Sequence, residues 1–209
     1  ACVLPSQTLT EEVLRQVRTI TRRICKALHV VGLINLQLAA KDGIVYVLDA
    51  NPCASRSVPY VSKAIGISLA KVATKVMLGV SLRSMGLGRE PRIEHVAVKA
   101  PVFPFQRLTG VDAVLGPEMK STGEVMGIDR TLGRAYAKAM TAAGNTLPTS
   151  GGVYLTVRDE DKAAILPVAL RLAQLGLRLY ATRGTAQFLR EHGVEVTTVY
   201  RISENQSPD

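Results

Sequence analysis

Asp49 and Asn51, with Gln37 and Asn35 upstream, are the side chains of this sequence best placed to do chemistry together. Asn35 and Gln37 lie in an apolar strand over 33–40, and a second apolar strand from Val45 runs out into Asp49 and Asn51; the two are joined by Lys41-Asp42-Gly43, which has the composition of a β-hairpin turn. With Lys41 facing Val45, Gln37 lies opposite Asp49 and Asn35 opposite Asn51. Strand alternation then puts Ile34, Leu36, Leu38, Tyr46 and Leu48 on one face. Asn35, Gln37, Asp49 and Asn51 share the other. An oxygen-rich strip of this kind suits a hard cation such as Mg²⁺, which takes few protein oxygens and completes its shell with water and phosphate. Beyond the strand, Pro52 to Ser57 forms a turn carrying Cys53 and Arg56.

The string Asp49-Ala50-Asn51-Pro52 with Arg56, preceded by Asn35-Leu36-Gln37, resembles the metal-binding end of an ATP-grasp ligase. Ser55-Arg56-Ser57-Val58-Pro59-Tyr60-Val61-Ser62-Lys63 narrows the resemblance to the carbamoyl-phosphate synthetase large-subunit family. Residues 116–127 (Gly116-Pro117-Glu118-Met119-Lys120-Ser121-Thr122-Gly123-Glu124-Val125-Met126-Gly127) match the same family, as does Ala181-Thr182-Arg183-Gly184-Thr185-Ala186. The resemblance implies phosphorylation of carbamate by ATP to carbamoyl phosphate, for pyrimidine and arginine synthesis. With neither a membrane-length apolar run nor a charged-then-apolar leader in the sequence, a soluble cytoplasmic protein is the default expectation. Gln37, Asp49 and Asn51 become metal ligands for Mg²⁺ or Mn²⁺, and Arg56 an anion contact of the transferring group. The last motif resembles the methylglyoxal-synthase-like regulatory domain, where Thr182, Thr185 and Arg201 would hold a nucleotide or other anionic effector. A strand-to-helix turn offers backbone N–H groups to such an anion. The implied partners are the remainder of the large subunit and a glutaminase small subunit.

Two positions depart from the family. Asp49 stands where it has Glu, which draws the carboxylate back by one methylene. Cys53 stands where it usually has Arg, which removes a guanidinium fork for phosphate or carbamate oxygens. Both suggest a weakened copy. Two other readings stay open. One is a non-catalytic regulatory or binding fragment; the other is a different ATP-grasp carboxylase-type ligase, which shares the acid-x-Asn-Pro turn. Residues 116–127 carry Glu118, Lys120 and Glu124 among loop-forming residues, and interdomain packing accounts for them as well as catalysis does.

Composition narrows the field. The chain has 209 residues, and 47% hydrophobic content is ample for a core. No apolar run reaches the roughly 18 residues of a membrane span. The net charge of +9 comes from scattered basic residues with only 4% aromatics, which fits anionic small molecules rather than nucleic acid. Cys2, Cys25 and Cys53 are too widely spaced for a disulfide framework or a zinc site.

The elements that must position these residues follow from periodicity. Helical spacing of Val13, Leu14, Val17, Ile20 and Ile24, with Thr10 as N-cap, predicts a helix over 10–28. A second helix is expected over 62–78 with Gly79 at its end, then an edge or irregular strand over 96–105, because Pro101 and Pro104 interrupt it. A third helix is expected over 131–143. Residues 146–152 read as a linker, after which strands at 153–157, 177–181 and 195–200 alternate with helices at 159–175 and 185–192. That alternation predicts a parallel α/β sheet. The expected architecture is thus the C-terminal portion of an α+β ATP-grasp domain over 1–145, the linker, and a partial Rossmann-like module over 153–209. Both domains read as incomplete by the family pattern.

Overall fold

A computed structural model describes residues 1–105, 110 and 114–200. The chain is mixed α/β and divides into two compact units, 1–146 and 147–209. Arg201 lies outside the described residues.

The first unit begins with β1 (Cys2–Leu4) and α1 (Glu11–Ala27). Thr10 caps α1 through its side-chain oxygen, which accepts from the Val13 N–H, and Glu11 and Glu12 sit in the first turn where the helix dipole favours acids. A hairpin follows, β2 (Asn35–Lys41) and β3 (Ile44–Asn51), against which α1 lies; Gln16 Nε2 donates to Gly43 O at 3.0 Å.

The hairpin register differs from the expectation at one end only. Asn35 faces Asn51 and Gln37 faces Asp49, but nearer the turn Leu38 faces Val47, Ala39 faces Tyr46 and Lys41 faces Ile44. Asp42 and Gly43 alone make the turn, both with positive φ (50° and 77°). That conformation matches the right-handed twist of the flanking strands and closes a two-residue loop where three were expected. A bulge at Leu48 absorbs the one-residue difference. Its consequence is a correction: Tyr46, facing Ala39, belongs with Gln37, Asp49 and Asn51, not with Leu36 and Leu38.

The stretch expected as one helix over 62–78 is two, α2 (Ser57–Ile65) and α3 (Leu69–Met77). Gly66 adopts the left-handed conformation at the end of α2 (φ 71°), which breaks the ladder before the apolar stripe resumes. Gly79 follows α3 with φ 90°, as the helix-end reading required.

β4 (Val96–Val102) and β5 (Gly123–Asp129) pair antiparallel, and β1 pairs with the other edge of β4, so the order is β1-β4-β5. β4 is therefore central, against the edge-strand expectation. The proline is tolerated because β1 reaches only Ala97 to Lys99, which leaves Pro101 paired with β5 alone among the described residues. Within 116–127, residues from Gly123 onward are strand rather than loop, because Glu124 to Gly127 pair with Val98 to Pro101. Alternation along β4 fills two cores. Val96, Val98 and Ala100 pack with Ala135 and Ala139 of α4 (Leu132–Ala142). Ala97 packs on the other face with Tyr60 and Ala64 of α2. Gly127 is required by closeness: a Cβ there would fall 2.1 Å from the Ala135 carbonyl oxygen.

The second unit is a parallel sheet in the order β6-β7-β8, from β6 (Gly152–Leu155), β7 (Arg178–Thr182) and β8 (Thr197–Val199). A 3-10 turn (Asp159–Asp161) leads into α5 (Lys162–Gln174), and α6 (Arg183–Glu191) follows β7. Ala169, Ala186 and Leu189, all 0% exposed, join Leu179 and Ala181 in its core. No helix among the described residues is long and apolar enough to cross a membrane.

Candidate functional site

Three clusters of polar side chains emerge, two in the first unit and one in the second. The first is the open face of the hairpin. Gln37, Asp49 and Asn51 are exposed on it, whereas Leu36, Leu38, Val45 and Ala50 on the opposite face are half-buried. Asp49 Oδ1 accepts from the Ala50 N–H at 2.9 Å, and Asp49 Oδ2 accepts from Asn51 Nδ2 at 2.7 Å. One carboxylate with two amides on one face is a fitting donor set for a hard cation whose remaining ligands are water and phosphate oxygens. It carries a single negative charge, so phosphate must supply the balance. The Asn51 amide presents its nitrogen to Asp49, and a half-turn about χ2 would bring its oxygen there instead. Among the described residues no group of three or more His, Cys, Asp or Glu side chains could hold a metal.

The turn after β3 delivers Arg56 elsewhere. Cys53 N–H donates to Asn51 O at 2.8 Å, and the Ser55 hydroxyl accepts from the Ser57 N–H at 3.2 Å, which starts α2 with Arg56 at its N-cap position. The Arg56 guanidinium contacts the Met119 sulfur. Arg56 and Met119 line a cavity of about 340 Å³ with Ser121, Thr122 and Glu124. Pro59 and Glu124 are shared with a second cavity of about 420 Å³, which holds Tyr60, Lys63 and Lys99. Lys99 Nζ pairs with Glu124 Oε1 at 2.8 Å. Tyr60 anchors this wall: its hydroxyl donates to the Ala97 carbonyl at 2.7 Å, and burial pushes its pKa up to about 12.

Sequence reasoning left residues 116–127 without chemistry and missed this cluster. The available signal was the alternation of Glu124 and Met126 with Val125, which marks a strand; only the long-range pairing of β4 with β5 brings Glu124 to Lys99.

In the second unit, β7 ends at Thr182 and α6 begins at once. Thr182 and Thr185 are 7% and 1% exposed. The Thr182 hydroxyl lies 3.1 Å from that of Thr156 and donates to Thr185 Oγ1 at 3.4 Å; the Val157 N–H donates to Thr185 Oγ1 at 3.4 Å. The two threonines are thus brought together, held by the end of β6. Lys162 was not singled out from sequence. It opens α5, pairs with Asp159 at 2.7 Å, and its Nζ lies 3.4 Å from where a Gly184 Cβ would sit, beside the start of α6. Its proximity is a product of the β6–α5–β7 crossover, invisible to local pattern.

Comparison with known proteins adds the following. Residues 2–85 match the family model described as carbamoyl-phosphate synthase L chain, ATP binding domain, and residues 164–209 match the MGS-like domain. Over 204 residues the chain is 59% identical to the carbamoyl phosphate synthase large chain of Methanoculleus marisnigri, which covers 98% of this chain and 19% of that protein. It is 54% identical to a large chain of Methanosarcina barkeri, with 98% of this chain and 51% of that protein covered. For Methanosarcina acetivorans the identity is 53%, with 98% and 19% covered. The chain therefore spans between about a fifth and a half of the length of these relatives.

Proposed function

We propose that this chain, which belongs to the carbamoyl phosphate synthase large-chain family, supplies the metal-binding end of an ATP site that phosphorylates carbamate, together with an effector module. The supporting observation is the alignment of Gln37, Asp49 and Asn51 on one open hairpin face, inside the stretch matched to the ATP binding domain. The boundaries we propose are an ATP-grasp portion over 1–145, a linker over 146–152 and a Rossmann-like effector module over 153–209. Gln37, Asp49 and Asn51 would hold Mg²⁺, which neutralises phosphate charge during transfer. The chain's own contributions are positional. The hairpin register sets the carboxylate and amides in line, and Arg56 offers its guanidinium to an anion entering the cavity beside Ser121 and Thr122. Carbamoyl phosphate would serve pyrimidine and arginine synthesis in the cytoplasm. The rest of the large subunit and a glutaminase subunit would be its partners.

In the second unit, Thr182, Thr185 and Arg201 are proposed to bind an anionic effector, with Lys162 adding positive charge beside Gly184. A non-catalytic role is favoured by one observation, the cysteine at position 53, which has no guanidinium to offer.

The test is ATP formation from carbamoyl phosphate and MgADP in a full-length relative carrying this stretch in place of its own. Turnover that Asn51→Ala abolishes supports the site. Turnover indifferent to Asn51→Ala refutes it. Silence that Cys53→Arg rescues would mean that this copy has lost its chemistry.

A further inference from the structure

The first unit holds a further cavity, of about 690 Å³, which shares no residue with the two cavities beside Arg56. Part of its wall is apolar: Leu4 at the end of β1, Val61 and Ile65 on α2, and Ile93. Leu4 and Val61 also pack against the core of Tyr60, Ala64 and Ala97, so this wall is fixed by the fold.

The irregular segment 89–93 supplies the rest of the wall, and it is pinned on both sides. Arg18 of α1 pairs with Glu90 at 2.9 Å and with Glu11 at 2.8 Å. Past the segment, His95 Nε2 donates to the Ala64 carbonyl at 2.9 Å. Between the pins, Pro91 fixes its own φ and disfavours helical backbone at Glu90. What this strap brings to the cavity is two arginines. Arg89 and Arg92 both line it, are exposed, and have no ion pair or hydrogen bond among the described residues. The carboxylates of the wall, Glu11 and Glu90, are both engaged by Arg18. Three arginines against two glutamates leave the wall with one positive charge.

We propose that this cavity binds a small organic acid, with its carboxylate held by Arg89 and Arg92 and its apolar body against Val61, Ile65 and Ile93. The volume lies in the range of small-molecule sites, which combine an apolar lining with a few placed polar groups. A guanidinium offers a planar fork that meets a carboxylate in two parallel hydrogen bonds. A neutral apolar ligand would leave both forks unpaired. A polyphosphate would leave the apolar wall uncovered and find too little positive charge. An acid of one charge with a hydrocarbon body satisfies both halves.

The probe is 3-phenylpropionate, titrated into this chain by calorimetry and followed at the Val61, Ile65 and Ile93 methyl groups by NMR. The expected result is saturable binding with a dissociation constant of about 1 mM or below, and shifts at those methyls. The alcohol 3-phenylpropanol, with the same body and no charge, should bind at least about 10-fold more weakly. Inorganic phosphate should leave the methyls unmoved. Arg89→Gln with Arg92→Gln should weaken the acid about 10- to 100-fold, the range for hydrogen bonds to charged groups, without moving the thermal midpoint, because both side chains are exposed and unpaired. Glu90→Gln separates a built site from mere attraction. It adds a positive charge to the wall, which by itself would tighten binding, but it releases the strap from Arg18 and should weaken binding instead. Lys26→Gln, away from the cavity on α1, should change nothing. A full-length relative carrying this stretch should bind the probe as this chain does.

Acid and alcohol binding alike, or a double arginine variant that binds as before, would overturn the carboxylate site. Tighter binding in Glu90→Gln would reduce it to diffuse charge and overturn it equally. Absence of saturation, or methyl shifts only outside the cavity, would overturn it outright. Binding to this chain that vanishes in the full-length relative would show the cavity filled by the remainder of the protein, and the proposal would fall.

Discussion

The hairpin and the β7–α6 turn both hold polar side chains at the end of a strand, and they hold them in opposite ways. Gln37, Asp49 and Asn51 are exposed, and the one bond between their side chains runs from Asn51 to Asp49 at 2.7 Å. Thr182 and Thr185 are buried and bonded to each other, to Thr156 and to the Val157 backbone. An exposed group loses little when it is removed, since water replaces its partners. A buried hydroxyl that is removed leaves its partner unsatisfied. The first set is therefore separable from folding and the second is not.

The sharpest way to break this contrast is at Asp49. In a full-length relative carrying this stretch, Asp49→Ala should lower ATP formation from carbamoyl phosphate and MgADP on the order of 10²- to 10³-fold, the range for removing one group that stabilises transition-state charge. The thermal midpoint of this chain alone should not move. A fall in the midpoint that matches the fall in rate would show that the carboxylate is structural. The opposite coupling is expected at Thr185. Thr185→Val keeps the shape but leaves the Val157 N–H without its acceptor, at a cost of about 1–3 kcal/mol to the second unit. Phosphate or nucleotide monophosphate binding, read by calorimetry, should fall with it. Thr185→Ser restores the hydroxyl and should recover both. Stability lost with binding intact would separate the threonine from the anion.

Which parts of this were legible in sequence follows the same physical line. Elements set by local chemistry were readable: the Thr10 cap of α1, Gly79 after α3, the helix at α4, and the strand–helix alternation after Gly152. The facing of Gln37 with Asp49 came out right although the loop was misjudged, because the bulge at Leu48 cancelled an error of one residue. The same cancellation put Tyr46 on the wrong face. Gly66 was read through as helix because the apolar stripe continues across it. Pro101 argued for an edge strand, and what reconciles it with a central one is the shortness of β1, a property of a segment almost a hundred residues away. Glu124 with Lys99, and Lys162 with Gly184, depend on non-local pairing that no window of sequence contains.

The smallest effect concerns Asn51 in this chain alone. Its side chain is exposed and, among the described residues, bonded only to Asp49, which keeps a second bond from the Ala50 N–H. Asn51→Ala should change stability by less than about 0.5 kcal/mol, as surface substitutions away from caps and networks do. Measured by urea unfolding followed in the first unit, a shift within that bound keeps the hairpin face free of structural duty, and the loss of ATP formation in the full-length protein then reports chemistry. A shift of 1–3 kcal/mol, like that expected for Thr185→Val, would place the Asp49–Asn51 bond among the contacts that hold the hairpin. The two strand ends would then differ in exposure but not in kind.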